Sequence, residues 1–320
     1  MKPKSIVVIC GGVGAARLLR AFVRVVEPET LTAVINVADD MVLHGLSISP
    51  DIDTVTYTLA DAIDPDRGWG LRDESWRAME SIKRYGDGSG DWFSLGDHDL
   101  ATHLYRTGRL ADGASLTQVT TEIAQSWGVD VTLLPVTNDP VSTRVTLAES
   151  GEEVSFQEYF VGQRHSVEIS DVQFDGVDDA RITGEVAAAL ATADVIVVAP
   201  SNPIVSIGPT LAVPGLREAL TQSTAPVIAV SPIIGGNALK GPAAAMMTEL
   251  GHDASVVGVA ALWQEFVDVL LIDDADAPLA QAVCGCGVIP FVTDTIMASA
   301  ERGARLATAI LSAAHLAGPT

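Results

Sequence analysis

Short runs of β-branched and other apolar residues recur along the chain, and turn-forming residues follow most of them. Runs that are apolar on both faces are typical of strands in a parallel sheet covered by helices. We therefore predict buried strands at Ile6–Cys10, Leu31–Asn36, Val195–Ala199, Val227–Val230, Val269–Ile272 and Val288–Phe291.

Segments with helical spacing lie between these runs. We predict helices at Ala15–Val26, Asp51–Ile63, Glu74–Tyr85, Asp97–Thr107, Leu116–Trp127, Gly184–Ala191, Leu216–Gln222 and Thr295–Leu316. Ser115 and Gln118 predict a capping box at the start of one helix. Alternating strands and helices indicate βαβ units, so the expected fold is α/β: a Rossmann-like, doubly wound and mainly parallel sheet.

Two segments depart from this alternation. Residues 130–174 alternate apolar and polar positions around the turn at Glu149–Glu152, which predicts an antiparallel β-hairpin extension at the edge of the main sheet. Residues 64–127 are mostly helical and predict a cap subdomain. Without internal repeats or a low-complexity linker, residues 1–320 are expected to form one domain.

The composition narrows the function. The 320 residues carry a formal net charge of −22, and 48% of them are hydrophobic. So large an apolar fraction excludes a disordered acidic protein. The negative charge argues against nucleic-acid or membrane partners, which need clustered Lys and Arg. Three cysteines, no membrane-length apolar segment and no convincing signal peptide predict a cytoplasmic protein.

A glycine loop separates the first predicted strand from the first helix. Gly11, Gly12 and Gly14 let backbone N–H groups approach a phosphate at a helix N-terminus. The alternative is a turn that serves packing only. A nicotinamide cofactor would require an acid after the second strand, and Asn36 stands there, which disfavours a dinucleotide oxidoreductase.

Four aspartates follow the second strand in two loops. Asp39 and Asp40 come first, and Asp51 and Asp53 follow at the start of a helix. One carboxylate is enough to cap that helix. Four are typical of a site for Mg²⁺, which proteins hold by carboxylates together with substrate phosphates. Metal-assisted phosphoryl-type transfer would use such a set.

Further candidate residues lie in three other loops. In the segment 96–103, Asp99 and His103 share a helix face, where a helix cap with substrate hydrogen bonding is favoured over a transition-metal site. The polar loops 199–209 and 231–236 follow neighbouring strands, which indicates one continuous cleft. The sequence contains no HExxH, GxSxG or Walker-A motif, which removes those enzyme classes.

Together, these loops resemble the 2-phospho-L-lactate transferase family, called CofD in archaea and FbiA in actinobacteria. The matching segments are Gly11–Gly14, Asn36 with Asp39-Asp40, Ser49–Thr54, Gly96–His103, Asp139–Thr143, Pro200–Pro203 with Ser206–Pro209, and Ser231–Gly235. Ile63–Gly70 and the Arg-rich composition look closer to the actinobacterial branch. His98 departs from the family, whose members commonly carry arginine there, and this would weaken a phosphate contact.

The resemblance implies a Mg²⁺-dependent step in the synthesis of coenzyme F-420. A guanosine-diphosphate-activated donor passes a phospho-three-carbon acid, phosphoenolpyruvate or 2-phospho-L-lactate, to 7,8-didemethyl-8-hydroxy-5-deazariboflavin. The ribityl hydroxyl of this deazaflavin is the acceptor, and GMP is released. A homodimer is common in the family and is expected here.

Site residues can be assigned on this resemblance. Mg²⁺ is expected at Asp39, Asp40, Asp51 or Asp53, and either Asp51 or Asp53 is the expected catalytic base. The donor nucleotide is expected to bind Gly11, Gly12, Gly14, Ser201, Asn202 and Ser231. The deazaflavin is expected to bind Asp53, Ser94, Asp97 and His103. The rival hypothesis is a sugar-nucleotide-binding regulator resembling the YvcK group, which shares the glycine loop and the fold.

Overall fold

A seven-stranded parallel sheet covered by helices forms the centre of the protein in a computed structural model, which describes residues 3–85 and 92–317. The strands are β1 (Ile6–Cys10), β2 (Leu31–Ile35), β3 (Met41–Leu43), β4 (Leu46–Ile48), β5 (Thr132–Pro135), β6 (Ser142–Leu147), β7 (Glu153–Ser155), β8 (Ile169–Asp175), β9 (Val195–Val198), β10 (Val227–Val230), β11 (Ile233–Ile234), β12 (Asn237–Ala238), β13 (Val269–Ile272) and β14 (Ile289–Val292). The helices are α1 (Gly12–Phe22), α2 (Pro50–Leu59), α3 (Arg77–Ile82), α4 (Asp99–Ala111), α5 (Leu116–Ser126), α6 (Gly184–Ala191), α7 (Ile207–Ala212), α8 (Leu216–Thr221), α9 (Ala243–Glu249), α10 (Val256–Trp263), α11 (Ala280–Gly285) and α12 (Ala300–Ala313).

The order of the strands determines where a ligand can bind. Across the sheet the order is β14-β13-β10-β9-β1-β2-β5, and every pair is parallel. The chain therefore builds outward from β1 through β2 and β5, and then returns to the other side of β1 with β9. Doubly wound sheets bind ligands at such a switch point, outside the carboxyl ends of the two strands. Here these ends lead into the glycine loop and into the loop after Ala199.

The central strands confirm the α/β prediction. All residues of β1 and β13 are buried, as expected for strands covered by helices on both faces. The final strand is different, because β14 lies at the edge of the sheet and leaves Ile289 and Val292 each about 40% exposed. The prediction of a buried strand there was wrong, since an apolar run alone does not show whether a strand has neighbours on both sides.

The segment 130–174 divides between two sheets. Its first run forms β5, which pairs in parallel with β2 in the main sheet and is not part of an antiparallel unit. β6 and β7 form the predicted hairpin around the turn at Glu149–Glu152, and β8 pairs with β6 on the other side. These three strands form a separate sheet, so the hairpin does not extend the edge of the main one.

The observed helix boundaries differ from the predicted ones where a glycine or a capping residue sets the start of the helix. The first helix begins at Gly12, before the predicted Ala15, and the last begins at Ala300, where Ser299 caps it. The Ser115–Gln118 capping box is confirmed. Four short helices, α7, α9, α10 and α11, were not predicted. None of the helices within the described residues is long and apolar enough to cross a membrane.

A candidate active site at the carboxyl edge of the sheet

The two loops at the switch point are joined through Gly11 and Ser201. The Ser201 hydroxyl donates to the Gly11 carbonyl oxygen at 2.5 Å, and this side chain is buried. A Cβ atom added at Gly14 would collide with the Pro200 carbonyl oxygen, so glycine is required there for close approach of the loops. Ser201 and Gly14, both predicted to bind the donor, therefore hold the loops together.

Asp51 lies directly against the glycine loop. A Cβ atom added at Gly11 would come 2.7 Å from Asp51 Oδ2. Asn36 donates from Nδ2 to the same oxygen at 3.0 Å and accepts the Ala38 backbone N–H at its Oδ1, also at 3.0 Å. Asn36 therefore orients Asp51 towards the loop. Gly12 follows with a φ of +71°, which favours glycine, and begins α1.

Asp39 and Asp40 bring two more carboxylates to the same edge. The Ser49 hydroxyl donates to Asp40 Oδ2 at 2.7 Å. Oδ1 of Asp39 and Oδ1 of Asp40 are buried and have no hydrogen-bond partner among the described residues. Carboxylate oxygens are the ligands that Mg²⁺ prefers, and a buried oxygen without a partner is costly. These two residues therefore fit a magnesium ion.

Burial and mutual repulsion act on the acids of this edge. Burial, with the charges of Asp51 and Asp40, raises the pKa of Asp39 well above its usual range. Burial also raises the pKa of Asp40, although the Ser49 hydrogen bond opposes it. The pKa of Asp51 rises by burial to about 6, against the hydrogen bonds from Asn36 and the Gly12 backbone. Ionised carboxylates are therefore unfavourable at this edge, and a bound cation would stabilise them.

Asp53 pairs with a residue of α4. Arg106 donates to both of its carboxylate oxygens, with a distance of 3.1 Å from Nη1 to Oδ2. Burial raises the pKa of Asp53, opposed first by the charge of Arg106. Because both oxygens bind a guanidinium, Asp53 is less suited to hold a metal ion than Asp39 or Asp40. The four predicted aspartates thus divide into a group of three and an ion pair next to Asp40, since the charges of Arg106 and Asp53 both act on the Asp40 carboxyl.

The ion pair continues into a buried polar network. His103 Nδ1 lies 3.8 Å from Asp53 Oδ2, and its Nε2 lies 3.3 Å from Asp99 Oδ2. Tyr57 donates to Asp99 Oδ1 at 2.6 Å. Within residues 3–85 and 92–317, Asp53, Asp99 and His103 are the acids and histidine that lie close enough to form a three-ligand set. The guanidinium of Arg106 between them already supplies the positive charge that a metal would bring.

Sequence reasoning missed Arg106. It lies three residues after His103 and seven after Asp99, so all three share one face of α4. That polar face is buried, whereas Leu104 and Tyr105 on the same helix are exposed. Such an inverted helix contradicts the usual amphipathic pattern, and only the spacing of three charged residues could have indicated it. His103 is 1% exposed and cannot contact a ligand directly in this arrangement.

Asp97 and Glu74 each cap a helix that begins close to the other residue in the chain. Asp97 accepts the Ser75 hydroxyl and the Ala78 backbone N–H at the start of α3, and these bonds lower the pKa of Asp97. Glu74 accepts the backbone N–H groups of His98 and Asp99 at 2.8 and 2.9 Å, at the start of α4. The structure therefore gives Asp97 a capping role. Ser94 is exposed nearby, in the loop that leads to α4.

Asn202 and Ser231 each form a local turn. Asn202 Oδ1 accepts the backbone N–H of Ile204 at 2.9 Å. The Ser231 hydroxyl accepts the N–H of Ile233 at 3.1 Å and donates to its carbonyl oxygen at 2.9 Å. Both side chains shape the loops predicted to bind the donor nucleotide. A nucleotide bound at these loops would therefore contact the turns that Asn202 and Ser231 form, because the side-chain oxygens of both residues already bind backbone groups.

Known proteins resemble the chain over most of its length. The family 2-phospho-L-lactate transferase CofD matches residues 6–300. A phosphoenolpyruvate transferase from Kitasatospora aureofaciens is 41% identical over 314 residues, covering 97% of this chain and 98% of that protein. One from Mycobacterium ulcerans (strain Agy99) is 45% identical over 270 residues, covering 80% and 82%.

A solved structure shares the fold. The crystal structure of a member of the UPF0052 family from Bacillus halodurans superposes with a TM-score of 0.64 and 20% sequence identity. The match covers 96% of this chain and 100% of that one. At this identity the similarity establishes the architecture and carries no information about the reaction.

Proposed function

This chain belongs to the CofD family of 2-phospho-L-lactate transferases and is a transferase, and from this membership we propose that it transfers a phosphoenolpyruvyl group in the synthesis of coenzyme F-420. The donor is the guanosine-diphosphate-activated acid, and the acceptor is the ribityl hydroxyl of 7,8-didemethyl-8-hydroxy-5-deazariboflavin. Phosphoenolpyruvate is favoured over 2-phospho-L-lactate because relatives at 41% and 45% identity are named phosphoenolpyruvate transferases.

The observation that carries the proposal is the contact between Asp51 and the glycine loop at the switch point. The N-terminus of α1 and the backbone of Gly11 and Gly12 form a place for the diphosphate, since helix N-termini favour anions. A carboxylate repels a bound diphosphate, so we infer that a cation lies between the two or that the carboxylate accepts a proton in the reaction. The cluster of three acids offers residues for both tasks.

Asp39 and Asp40 are the proposed ligands of Mg²⁺, because each has a buried oxygen without a partner. When bound, the ion would neutralise charge on the nonbridging oxygens of the donor. Ser49 fixes the orientation of Asp40 through its other oxygen.

Asp51 is the proposed base. It lies against Gly11, so a hydroxyl that attacks a phosphorus atom bound at the loop meets this carboxylate. The new bond joins the ribityl oxygen to the phosphorus that carries the enolpyruvyl group. The bridging P–O bond breaks, GMP leaves with that electron pair, and Asp51 takes the hydroxyl proton. A pKa of about 6 suits this role, because an effective base titrates near the working pH.

Asp53 is a positioning residue in this proposal. Its oxygens are occupied by Arg106, so it holds the first turn of α2, which also carries Asp51, against α4. His103 and Asp99 extend the same support. The roles first expected for Asp53 as a base, metal ligand and deazaflavin contact are therefore replaced by a single indirect one.

Reconstitution tests the function. The purified protein is incubated with Mg²⁺, the deazaflavin and the guanosine-diphosphate-linked enolpyruvyl donor, and the products are analysed by mass spectrometry. The expected products are GMP and a deazaflavin carrying the phosphoenolpyruvyl group, which has two hydrogens fewer than the phospholactyl product. Binding of a UDP-sugar with no response to the deazaflavin would instead support the sugar-nucleotide regulator.

A further inference from the structure

Lys240 lies beside the glycine loop, although it is distant from it in sequence. A Cβ atom added at Gly68 would lie 3.7 Å from Lys240 Nζ and 3.9 Å from Val13 Cγ1. Val13 is the second residue of α1, so the ammonium and the start of that helix both lie close to Gly68. The loop that contains Gly68 and the loop that contains Lys240 therefore meet near the N-terminus of α1.

A short hairpin precedes Lys240 in the chain. β11 and β12 pair just before it, and the Gly235 backbone N–H donates to both carboxylate oxygens of Asp276, at 3.1 and 3.0 Å. The turn at Ser231 fixes the entry into the hairpin. Lys240 itself is exposed on a flexible four-carbon stem, so its ammonium can reach a ligand while its backbone stays anchored.

The charges around the loop are uneven. Asp51 lies on one side of Gly11 and Gly12, and the partnerless oxygens of Asp39 and Asp40 lie at the same edge of the sheet. Among the described residues, no carboxylate lies within 4.0 Å of Lys240 Nζ. By contrast, several arginines form ion pairs with aspartates: Arg20, Arg67, Arg106 and Arg302. The chain has only four lysines and a net charge of −22, and this lysine lies near the N-terminus of α1, where an anion is favoured.

We propose that Lys240 binds the diphosphate of the nucleotide donor. The inference rests on the proposed function, because it requires a diphosphate at the glycine loop. Phosphate oxygens accept strong hydrogen bonds from an ammonium, and lysine commonly serves as a point charge for phosphates. The charge of Lys240 would also draw the anionic donor into an otherwise acidic protein.

The test compares nucleotide binding by three variants of the full chain. Calorimetric titration with GDP in the presence of Mg²⁺ is performed on the wild-type protein and on K240M, K240R and K4M. Lys4 is exposed and lies just before the amino end of β1. The substitution K4M removes the same charge as K240M and therefore controls for net charge. We expect K240M to weaken GDP binding about tenfold, which is typical for the loss of one charged hydrogen bond. K240R and K4M are expected to bind within about threefold of the wild type.

Two further arms make the result specific. GMP affinity is expected to change less than GDP affinity, because only GDP carries the diphosphate. The difference between wild type and K240M is expected to shrink as salt is added, since an exposed ion pair is screened. Equal GDP affinity of the wild type and K240M would overturn the assignment of Lys240 and leave the proposed function intact. No GDP binding by the wild type would overturn both.

Discussion

Arg106 of α4 binds both carboxylate oxygens of Asp53 on α2, and both side chains are almost completely buried. Removing one partner of such a pair leaves an uncompensated buried charge. We expect R106M to lower the free energy of unfolding by about 3–5 kcal/mol, measured by urea denaturation. The double variant R106M/D53N is expected to recover part of that loss, because neither charge remains.

Arg109 offers a matched control on the same helix. It pairs with Glu122 through two hydrogen bonds, at 2.9 and 2.8 Å, but on the surface. R109M is expected to cost much less stability than R106M, since solvent screens exposed pairs. Equal losses for the two variants would show that the buried network does not hold α2 to α4.

Replacing Asp51 separates chemistry from folding. D51N removes the proposed base and retains the shape of the side chain, so we expect turnover to fall by about 10²–10⁴ with a nearly unchanged melting temperature. D53N, which acts indirectly, is expected to lower turnover less. For the wild type, kcat/KM should rise with pH through about 6, because Asp51 must be ionised to accept a proton. A flat profile from about pH 5 to pH 8 would contradict the assignment.

Mg²⁺ should stabilise the protein most at high pH. The folded state raises the pKa of Asp51 from 3.8 to about 6, so it binds this proton more tightly than the unfolded chain. The resulting stability is complete below about pH 4 and is lost as the pH rises through about 6. Without metal, the melting temperature should therefore fall over this range. Mg²⁺ should raise it at about pH 8 and have little effect near pH 5, because the pKa values of its proposed ligands Asp39 and Asp40 are also raised and a protonated carboxyl does not bind the ion. D39N/D40N should lose that response.

Gly14 tests the contact between the two loops. A Cβ atom at this position would collide with the Pro200 backbone, which cannot move aside as a flexible side chain can. G14A is expected to destabilise the protein by about 1–3 kcal/mol and to weaken GDP binding. Gly184 in the first turn of α6 has open space around it, so G184A is the control and should be neutral or slightly stabilising. Normal melting of G14A would contradict the tight approach.

Asp97 distinguishes a cap from a ligand contact. If Asp97 only caps α3, D97A should lower the melting temperature and leave the KM for the deazaflavin unchanged. A direct contact with the deazaflavin, as first expected from the resemblance, would instead raise that KM. Steady-state kinetics at a temperature well below the melting transition distinguish these outcomes. S94A is the companion variant, because Ser94 is exposed and caps no helix among the described residues.

Features of this structure that depend on neighbouring residues in the chain could be predicted from the sequence. β1, the glycine loop and the acids after β2 follow from apolar runs and turn residues. Pairing was harder, because the same run at Thr132–Pro135 suits an antiparallel hairpin or a parallel edge strand. Which of these two pairings forms depends on the strand next to it in the sheet, here β2, and the local sequence does not identify that strand. Arg106 was missed for a related reason, since its partner Asp53 lies 53 residues away and no local pattern records the contact.

The site residues were predicted by type more successfully than by role. Ser201, Asn202 and Ser231 lie at the predicted edge, yet their side chains complete turns and loop contacts. Sequence identifies a polar residue in a binding loop. It does not show whether the hydroxyl faces the ligand or the backbone, because that depends on a few torsion angles set by neighbouring loops.

The bond between Gly11 and Ser201 joins residues 190 positions apart. During synthesis, the glycine loop and the aspartates leave the ribosome long before β9 and its loop are available. A nascent chain that ends before Ser201 therefore carries the acids of the site without the bond that closes it. We therefore expect no affinity for the nucleotide in a truncated product that ends before β9.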